Sequence, residues 1–275
     1  PRHLQQVWDG TSPAGKRVLV RCYHGLGDTL QFIRYTPRLR ALAAEVVVAA
    51  QPELVGLLQT AAGIDRLLAL DDEDDAAWEV EIEVMELPHV FRTSLATIPA
   101  DVPYLHVTPT PVEKNRNLAV GLVWSAGDWD LRRSIAFQDL QPLFEIDEIE
   151  FHMLQRGPAL RERPPAFGIP SGRSDIVSLA RLMRGLDLVV SVDTMTAHLA
   201  GALGVPVWNL IHADADWRWL EKRNDSPWYP TMRLFRQAKP GDWTPVIDAL
   251  AGELRRLLGD ATPRPFQYVR HPATG

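Results

Sequence analysis

The sequence predicts an α/β protein made of two halves, each a parallel sheet with helices on both faces. Three observations carry this reading. Short apolar runs alternate with helical patterns along most of the 275 residues. A polar stretch over 108–117, with Pro109 and Pro111, interrupts the alternation. A second series of the same kind then begins.

In chain order, 18–22 reads as the first strand and 29–43 as a helix, with Leu30, Ile33, Pro37 and 39–42 near one side. Residues 45–50 form a second strand and 53–61 a second helix. Residues 66–70 and 80–87 are further strands. Between them lies Asp71-Asp72-Glu73-Asp74-Asp75. It follows no fixed ligand spacing, and adjacent carboxylates repel one another, so it reads as a solvated loop; a metal-binding acidic motif is the alternative. After the linker, 118–124 is a strand, 137–144 a helix and 150–154 a strand. Residues 176–186 form a helix, 188–192 a buried strand, 194–203 a helix ending at Gly204, and 205–211 a strand. Residues 244–258 form an amphipathic helix. The domain expectation is an extension over 1–16, one domain over 17–111, a second over 116–260 and a tail over 261–275. No repeat of 20–50 residues and no long low-complexity tract is visible.

Bulk composition excludes several functions. The formal net charge of −6 leaves no basic surplus for a phosphate backbone, which argues against nucleic-acid binding. The single cysteine, Cys22, lies in an apolar run and cannot form an internal disulfide. It reads as a buried inert thiol in a reducing, cytoplasmic protein. One cysteine and scattered histidines do not make a structural zinc site, and no metal ligands are expected. The first residues, Pro1 to Trp8, lack the apolar centre of a signal peptide, and no run approaches a transmembrane span.

Four stretches at strand ends could carry chemistry. His24-Gly25-Leu26-Gly27-Asp28-Thr29 joins the first strand to the first helix. Its glycines permit a tight turn and close approach of a ligand. Asp28 has two readings: helix N-cap, or catalytic base at the ligand-binding edge of the sheet. The helix start suits the negative charge of a proton acceptor. Ser191-Val192-Asp193-Thr194-Met195-Thr196-Ala197-His198 puts a helix start after a buried strand. Free amides there suit a phosphate, with Thr194, Thr196 and His198 as further donors. Against this stands Asp193 as a simple cap and His198 as a packing residue. Ser125-Ala126-Gly127-Asp128-Trp129-Asp130-Leu131-Arg132-Arg133-Ser134 places two arginines where they could clamp a diphosphate, or simply face solvent. Gln155-Arg156-Gly157, with Ser125, could contact the base or ribose; as a plain turn it needs no function. Trp217, Trp219, Trp228 and Trp243 could stack on a ligand, or build core and hold the chain's end against the other half.

Together these residues resemble the ADP-heptose:lipopolysaccharide heptosyltransferase family. The resemblance is carried by Gly25-Leu26-Gly27-Asp28, by Val192-Asp193-Thr194 with His198, and by Leu203-Gly204 with Pro206. Its closer match is a bacterial subgroup in which such a domain follows tetratricopeptide repeats. The marks are Trp8-Asp9-Gly10, the stretch from Gly27 to Tyr35, Val102-Pro103-Tyr104-Leu105, Asp216-Trp217-Arg218-Trp219 and Ser226-Pro227-Trp228-Tyr229-Pro230-Thr231. The resemblance implies two Rossmann-like domains facing a cleft, the GT-B arrangement. It implies inverting, metal-independent transfer from a nucleotide-diphosphate sugar such as ADP-heptose, with no cofactor beyond that donor. The N-terminal half would hold a glycan or protein acceptor, with His24, Gly25 and Gly27 in its loop and Asp28 as base. Asp193, Thr194, Met195, Thr196 and His198, with Arg132 and Arg133, would bind the donor diphosphate. Two departures stand out: Tyr23-His24 replaces an expected Glu-Gln, and Met195 replaces a small residue.

Two rival readings follow. One is a catalytically degenerate module of the same fold that binds a nucleotide sugar or a protein. The other is a sugar-nucleotide epimerase, whose additional acid and base groups have no assignable residues here.

Overall fold

The computed structural model describes residues 8–72, 77–113, 115–127, 130–173 and 175–259. Glu73, Asp74 and Asp75 of the acidic run, Asp128 and Trp129, the first seven residues and the 261–275 tail lie outside the described residues. Within that run, Asp72 closes a turn, its Oδ2 accepting the Ala69 amide at 2.8 Å.

The N-terminal half is a parallel sheet of β1 (Arg17–Arg21), β2 (Glu45–Ala50), β3 (Arg66–Ala69) and β4 (Val80–Glu83), in the order β3-β2-β1-β4. β1 and β2 are valine-rich and almost wholly buried because helices or loops cover both faces. Val18 pairs with Val46 on one side and Val80 on the other.

The C-terminal half holds β5 (Leu118–Val123), β6 (Ile149–Met153), β7 (Ile169–Pro170), β8 (Leu188–Val192), β9 (Val207–Ile211) and β10 (Met232–Arg236). All neighbours are parallel, in the order β10-β9-β8-β5-β6-β7. Counted from β5, this is the 3-2-1-4-5-6 order of dinucleotide-binding sheets. The winding direction reverses between β1 and β4 in the first half and between β5 and β8 in the second. Ligands of such sheets bind outside the carboxyl ends of the strands at these points.

The helices are α1 (Leu26–Phe32), α2 (Thr36–Arg40), α3 (Pro52–Leu58), α4 (Leu87–Val90), α5 (Gln141–Phe144), α6 (Ile176–Met183), α7 (Met195–Ala202) and α8 (Thr244–Gly259). The single helix expected over 29–43 is instead α1, a 3-10 turn (Ile33–Tyr35) and α2. Pro37 has no amide to give to the Ile33 carbonyl, and Thr36 Oγ1 donates to that carbonyl instead, at 2.8 Å. The strand expected over 80–87 stops at Glu83. There the Glu83 carboxylate caps a 3-10 turn (Val84–Glu86) by accepting the Met85 amide, and Pro88 sits in the first turn of α4. The helix expected over 137–144 is a 3-10 turn (Phe137–Leu140) followed by α5, with Pro142 in its first turn. β7 and β10 were not expected. Two residues ending in proline give no pattern, and β10 emerges from a segment dense in aromatic residues and proline.

α7 is buried from Thr196 to Ala202, on every side, and this fits its place between the two halves. α1 packs directly on it. A Cβ on Gly27 would lie 2.8 Å from His198 Cδ2, so glycine is needed there for helix–helix contact. The same glycine borders the cavity between the halves, so the helix contact stands beside the expected approach of a ligand. Behind this contact, Arg34 donates to the carbonyls of Pro99 and Trp228 and to the Tyr104 hydroxyl. The Tyr104 amide bonds to Ala202 of α7 at 3.0 Å. One continuous apolar cluster runs through both halves, with Phe32 of α1 edge-on to Trp228. Each large side chain so buried stabilises the folded chain by about 1.5–3 kcal/mol. Trp219, Trp228 and Trp243 are core, whereas Trp217 is exposed and stacks on Phe32 across the halves.

Candidate functional site

The two reversal points face one another across a cavity of about 1400 Å³. Its walls include His24, Gly25, Gly27 and Asp28 from the N-terminal half. From the C-terminal half come Ser125, Arg132, Arg133, Gln155, Arg156, Gly157, Asp193, Thr194, Met195, Thr196, His198 and Arg218. Every residue expected as base, donor contact or acceptor loop borders this one space, whereas the four tryptophans weighed as stacking groups do not. The bordering residues differ in their surroundings.

Asp28 is the third residue of α1, and Gly25 is the N-cap; the expected N-cap role for Asp28 is therefore replaced by a neighbouring one. Its Oδ2 accepts the Gly25 amide at 3.0 Å, which satisfies an orphan donor of the first turn. Its Oδ1 accepts Nη1 of Arg218 at 2.7 Å, across the cleft. The carboxylate thus has one oxygen on each half. Nearby, His24 Nε2 lies 3.7 Å from Glu83 Oε2. Burial pushes the Glu83 carboxyl up to about 7. The Met85 amide opposes this, while Glu86 and Asp28 add to it. Glu83 Oε1 is buried without a partner.

On the facing side, Thr194 is the N-cap of α7, its Oγ1 accepting the Thr196 amide at 3.3 Å; the expected cap, Asp193, does other work. Asp193 is buried. Its Oδ2 accepts Trp219 Nε1 at 2.9 Å and its carbonyl accepts Arg133 Nη1 at 3.1 Å. Burial raises its pKa, against the Trp219 hydrogen bond and the charges of Arg133 and Arg218. His198 is buried as well, and its pKa is held well below the ordinary value, first by burial and then by Arg218, Arg34 and Arg133. The ring is neutral. Its Nδ1 pairs with the Tyr229 hydroxyl, which burial keeps protonated, at 2.9 Å, and Nε2 lies 4.0 Å from Asp193 Oδ1. Asp193 and His198 therefore brace the turn, and Thr194 and Met195 are its half-buried members.

The two arginines separate. Arg132 is exposed and chelated by both oxygens of Asp130, with a further bond to Asp214 at 3.1 Å. Arg133 turns inward to the Asp193 carbonyl, and its Nε is buried without a partner. Gln155 is buried with its amide already committed. Oε1 accepts the Trp124 and Ser125 amides, and Nε2 donates to the Arg156 carbonyl. It shapes the loop after β5, while Arg156 and Gly157 stay exposed. Cys22 is fully buried and its thiol is pushed up to about 12 by burial, which leaves it inert.

Sequence reasoning missed Arg218 and Glu83. Arg218 lies inside a quoted motif, Asp216-Trp217-Arg218-Trp219, whose aromatic residues drew the attention. Among the described residues no cluster of three or more His, Cys, Asp or Glu side chains could hold a metal ion, and no helix is long and apolar enough to cross a membrane.

Comparison with known proteins gives the fold a context. The chain superposes on the crystal structure of a glycosyl transferase family 9 protein from Veillonella parvula with a TM-score of 0.60 at 12% identity, covering 92% of each chain. It superposes on the E. coli heptosyltransferase WaaC, solved with ADP-2-deoxy-2-fluoro heptose, with a TM-score of 0.56 at 14% identity, covering 87% of this chain and 99% of that one. The fold is the GT-B arrangement of two Rossmann-like α/β halves. In sequence the chain is 24% identical to protein FlbA of Caulobacter vibrioides over 90% of its own length, and spans about half of that relative (48%). No family model matches.

Proposed function

We propose that the chain is an inverting glycosyltransferase. It moves a sugar, heptose in the first instance, from a nucleotide-diphosphate donor to a hydroxyl of a glycan or protein, without a metal. The observation that carries this reading is the meeting of two unlike edges in one cavity: a carboxylate, Asp28, on one side, and the Thr194–Met195 turn with Arg133 and Arg218 on the other. The glycosyltransferase structures that share the fold support it.

The chemistry follows from the placement of charge. The acceptor oxygen bonds to the anomeric carbon as the bond from that carbon to the diphosphate oxygen breaks, on the opposite face. Asp28 receives the acceptor proton. The departing diphosphate takes the electron pair. Guanidinium groups and first-turn amides of α7 stabilise it in the role a divalent cation could fill. The neutral His198 keeps the turn in place through Tyr229 and the nearby Asp193. A nucleotide sugar goes with a cytoplasmic setting. Tetratricopeptide repeats upstream in a longer protein would recruit a protein acceptor.

Titration calorimetry with ADP and other nucleoside diphosphates, with and without EDTA, tests the donor half of this reading. Saturable ADP binding that EDTA leaves unchanged is the expected result. Absence of binding by every nucleotide would remove the donor site and leave a protein-binding module of the same fold.

A further inference from the structure

Arg218 belongs to the C-terminal half, yet its guanidinium reaches the N-terminal one. Nη1 donates to Asp28 Oδ1 at 2.7 Å and Nε to Asp216 Oδ1 at 2.9 Å. Among the described residues Nη2 has no hydrogen-bond partner, and the side chain borders the cavity. The residue is only 8% exposed. Burial opposes its charge, but Asp28 and Asp216 outweigh burial and keep it firmly protonated.

The residue is also held from behind. Its carbonyl accepts Trp228 Nε1 at 3.0 Å, and the guanidinium lies 5.8 Å from the Phe32 ring centroid and 5.9 Å from that of Trp217. The adjacent Trp219 donates to Asp193, one residue before the α7 cap. The Asp193–Thr194 turn is thus linked through Trp219 to the Arg218 segment, and Arg218 to Asp28. A planar guanidinium holds its donors at fixed, separated positions toward two carboxylates and one further acceptor, a geometry that the compact ammonium of lysine does not reproduce.

We infer that Arg218 is the positioning residue for Asp28 and, through Nη2, a contact for the donor diphosphate, so that it ties the base to the donor site. This rests on the glycosyltransferase reading above. In the reaction the new bond joins the acceptor or water oxygen to the anomeric carbon, and the old bond to the diphosphate breaks. The proton passes to Asp28, whose orientation Arg218 sets, and the leaving charge falls toward Nη2.

The test compares wild type, Arg218→Lys and Arg218→Gln, each checked for folding by thermal melting and near-ultraviolet circular dichroism. ADP is the binding probe, and ADP release from ADP-heptose reports turnover. Arg218→Lys keeps the charge and should bind ADP within about threefold of wild type, while turnover at saturating donor falls about 10–100-fold. Arg218→Gln should lose about 10–100-fold in ADP affinity as well. In an Asp28→Asn background, Arg218→Lys should cost nothing further, because the residue acts through Asp28. A bracing role alone would lower melting temperature and leave ADP affinity and turnover of the folded protein unchanged; that result overturns the inference. So does a full additional loss in the double variant. If the wild type binds no ADP, the donor reading itself fails, and this shows before any variant is made.

Discussion

The carboxyl edge of the four-stranded sheet and that of the six-stranded sheet are built alike but present different groups at their helix starts. In both, a buried valine-rich strand runs into a short turn and then a helix that begins at the cleft. The first edge presents carboxylates, Asp28 and Glu83, with His24 beside them. The second presents Arg133 and the capped start of α7, with its own acid, Asp193, turned inward to Trp219. In the proposed reaction the first edge would take a proton and the second would hold an anion. Arg218 is the cation of the second edge that crosses to the first.

The contrast breaks most sharply at Asp28. Asp28→Asn keeps the shape and can still accept the Gly25 amide, so the helix start survives. Proton acceptance does not, and transfer from a nucleotide sugar should fall on the order of 10²–10⁴-fold. ADP affinity, which belongs to the other edge, should stay near wild type. Unchanged turnover in this variant would reduce Asp28 to a helix-capping group.

The second edge should break in stability instead. His198→Ala opens a void against Gly27 and leaves the Tyr229 hydroxyl without its partner, at a cost of about 2–4 kcal/mol. Because the native ring stays neutral while the unfolded one protonates near its ordinary value, the unfolded state binds more protons below that point. Wild-type stability therefore falls as pH drops through about 6.5, and the alanine variant should lose that component of the acid limb. Chemical denaturation across pH 5–8 measures both.

Much of this was legible in the sequence, and the illegible parts share a cause. β2 and β8 match their expected spans, because runs such as Leu188-Val189-Val190-Ser191-Val192 have only one use in a sheet covered on both faces. Asp28 and the Asp193–His198 segment could be singled out because strand-end turns carry local signals, and both border the cavity. The Asp28–Arg218 pair joins residues 190 apart across two domains, and no local pattern encodes it. The contact of Gly27 with His198 was equally hidden, because His198 lies in the other half. Glu83 was hidden inside an apparent strand, because Val84 and Met85 extend the apolar run into what is a 3-10 turn.

Glu83 sharpens the comparison from the acidic side. Its carboxyl ionises near 7 in the folded protein and near 4.5 when free, so the native state holds the extra proton between those values. Stability should then decline as pH rises from about 4.5 to 7 and level off above. Glu83→Gln removes the ionisation, and at pH 8 should be more stable than wild type by on the order of 2 kcal/mol. Equal pH profiles for the two proteins would show that the carboxyl is already relieved by a neighbour.

The smallest effect distinguishes two adjacent arginines. Arg132 and Arg133 are indistinguishable by sequence as phosphate clamps, yet the fold gives one to solvent and one to the cleft. Arg132 is neutralised by Asp130 and Asp214 and exposed to screening water, so Arg132→Gln should change ADP affinity less than about threefold. Arg133 lies against the Asp193 carbonyl with an unpartnered buried nitrogen, so Arg133→Gln should weaken ADP about 10-fold to 100-fold. Calorimetry on the two variants side by side decides it. Reversal of the order would mean that Asp130 and Asp214 release Arg132 when the nucleotide arrives, and that the anion-binding edge is completed by the loop from 130 to 134 rather than by the turn before α7.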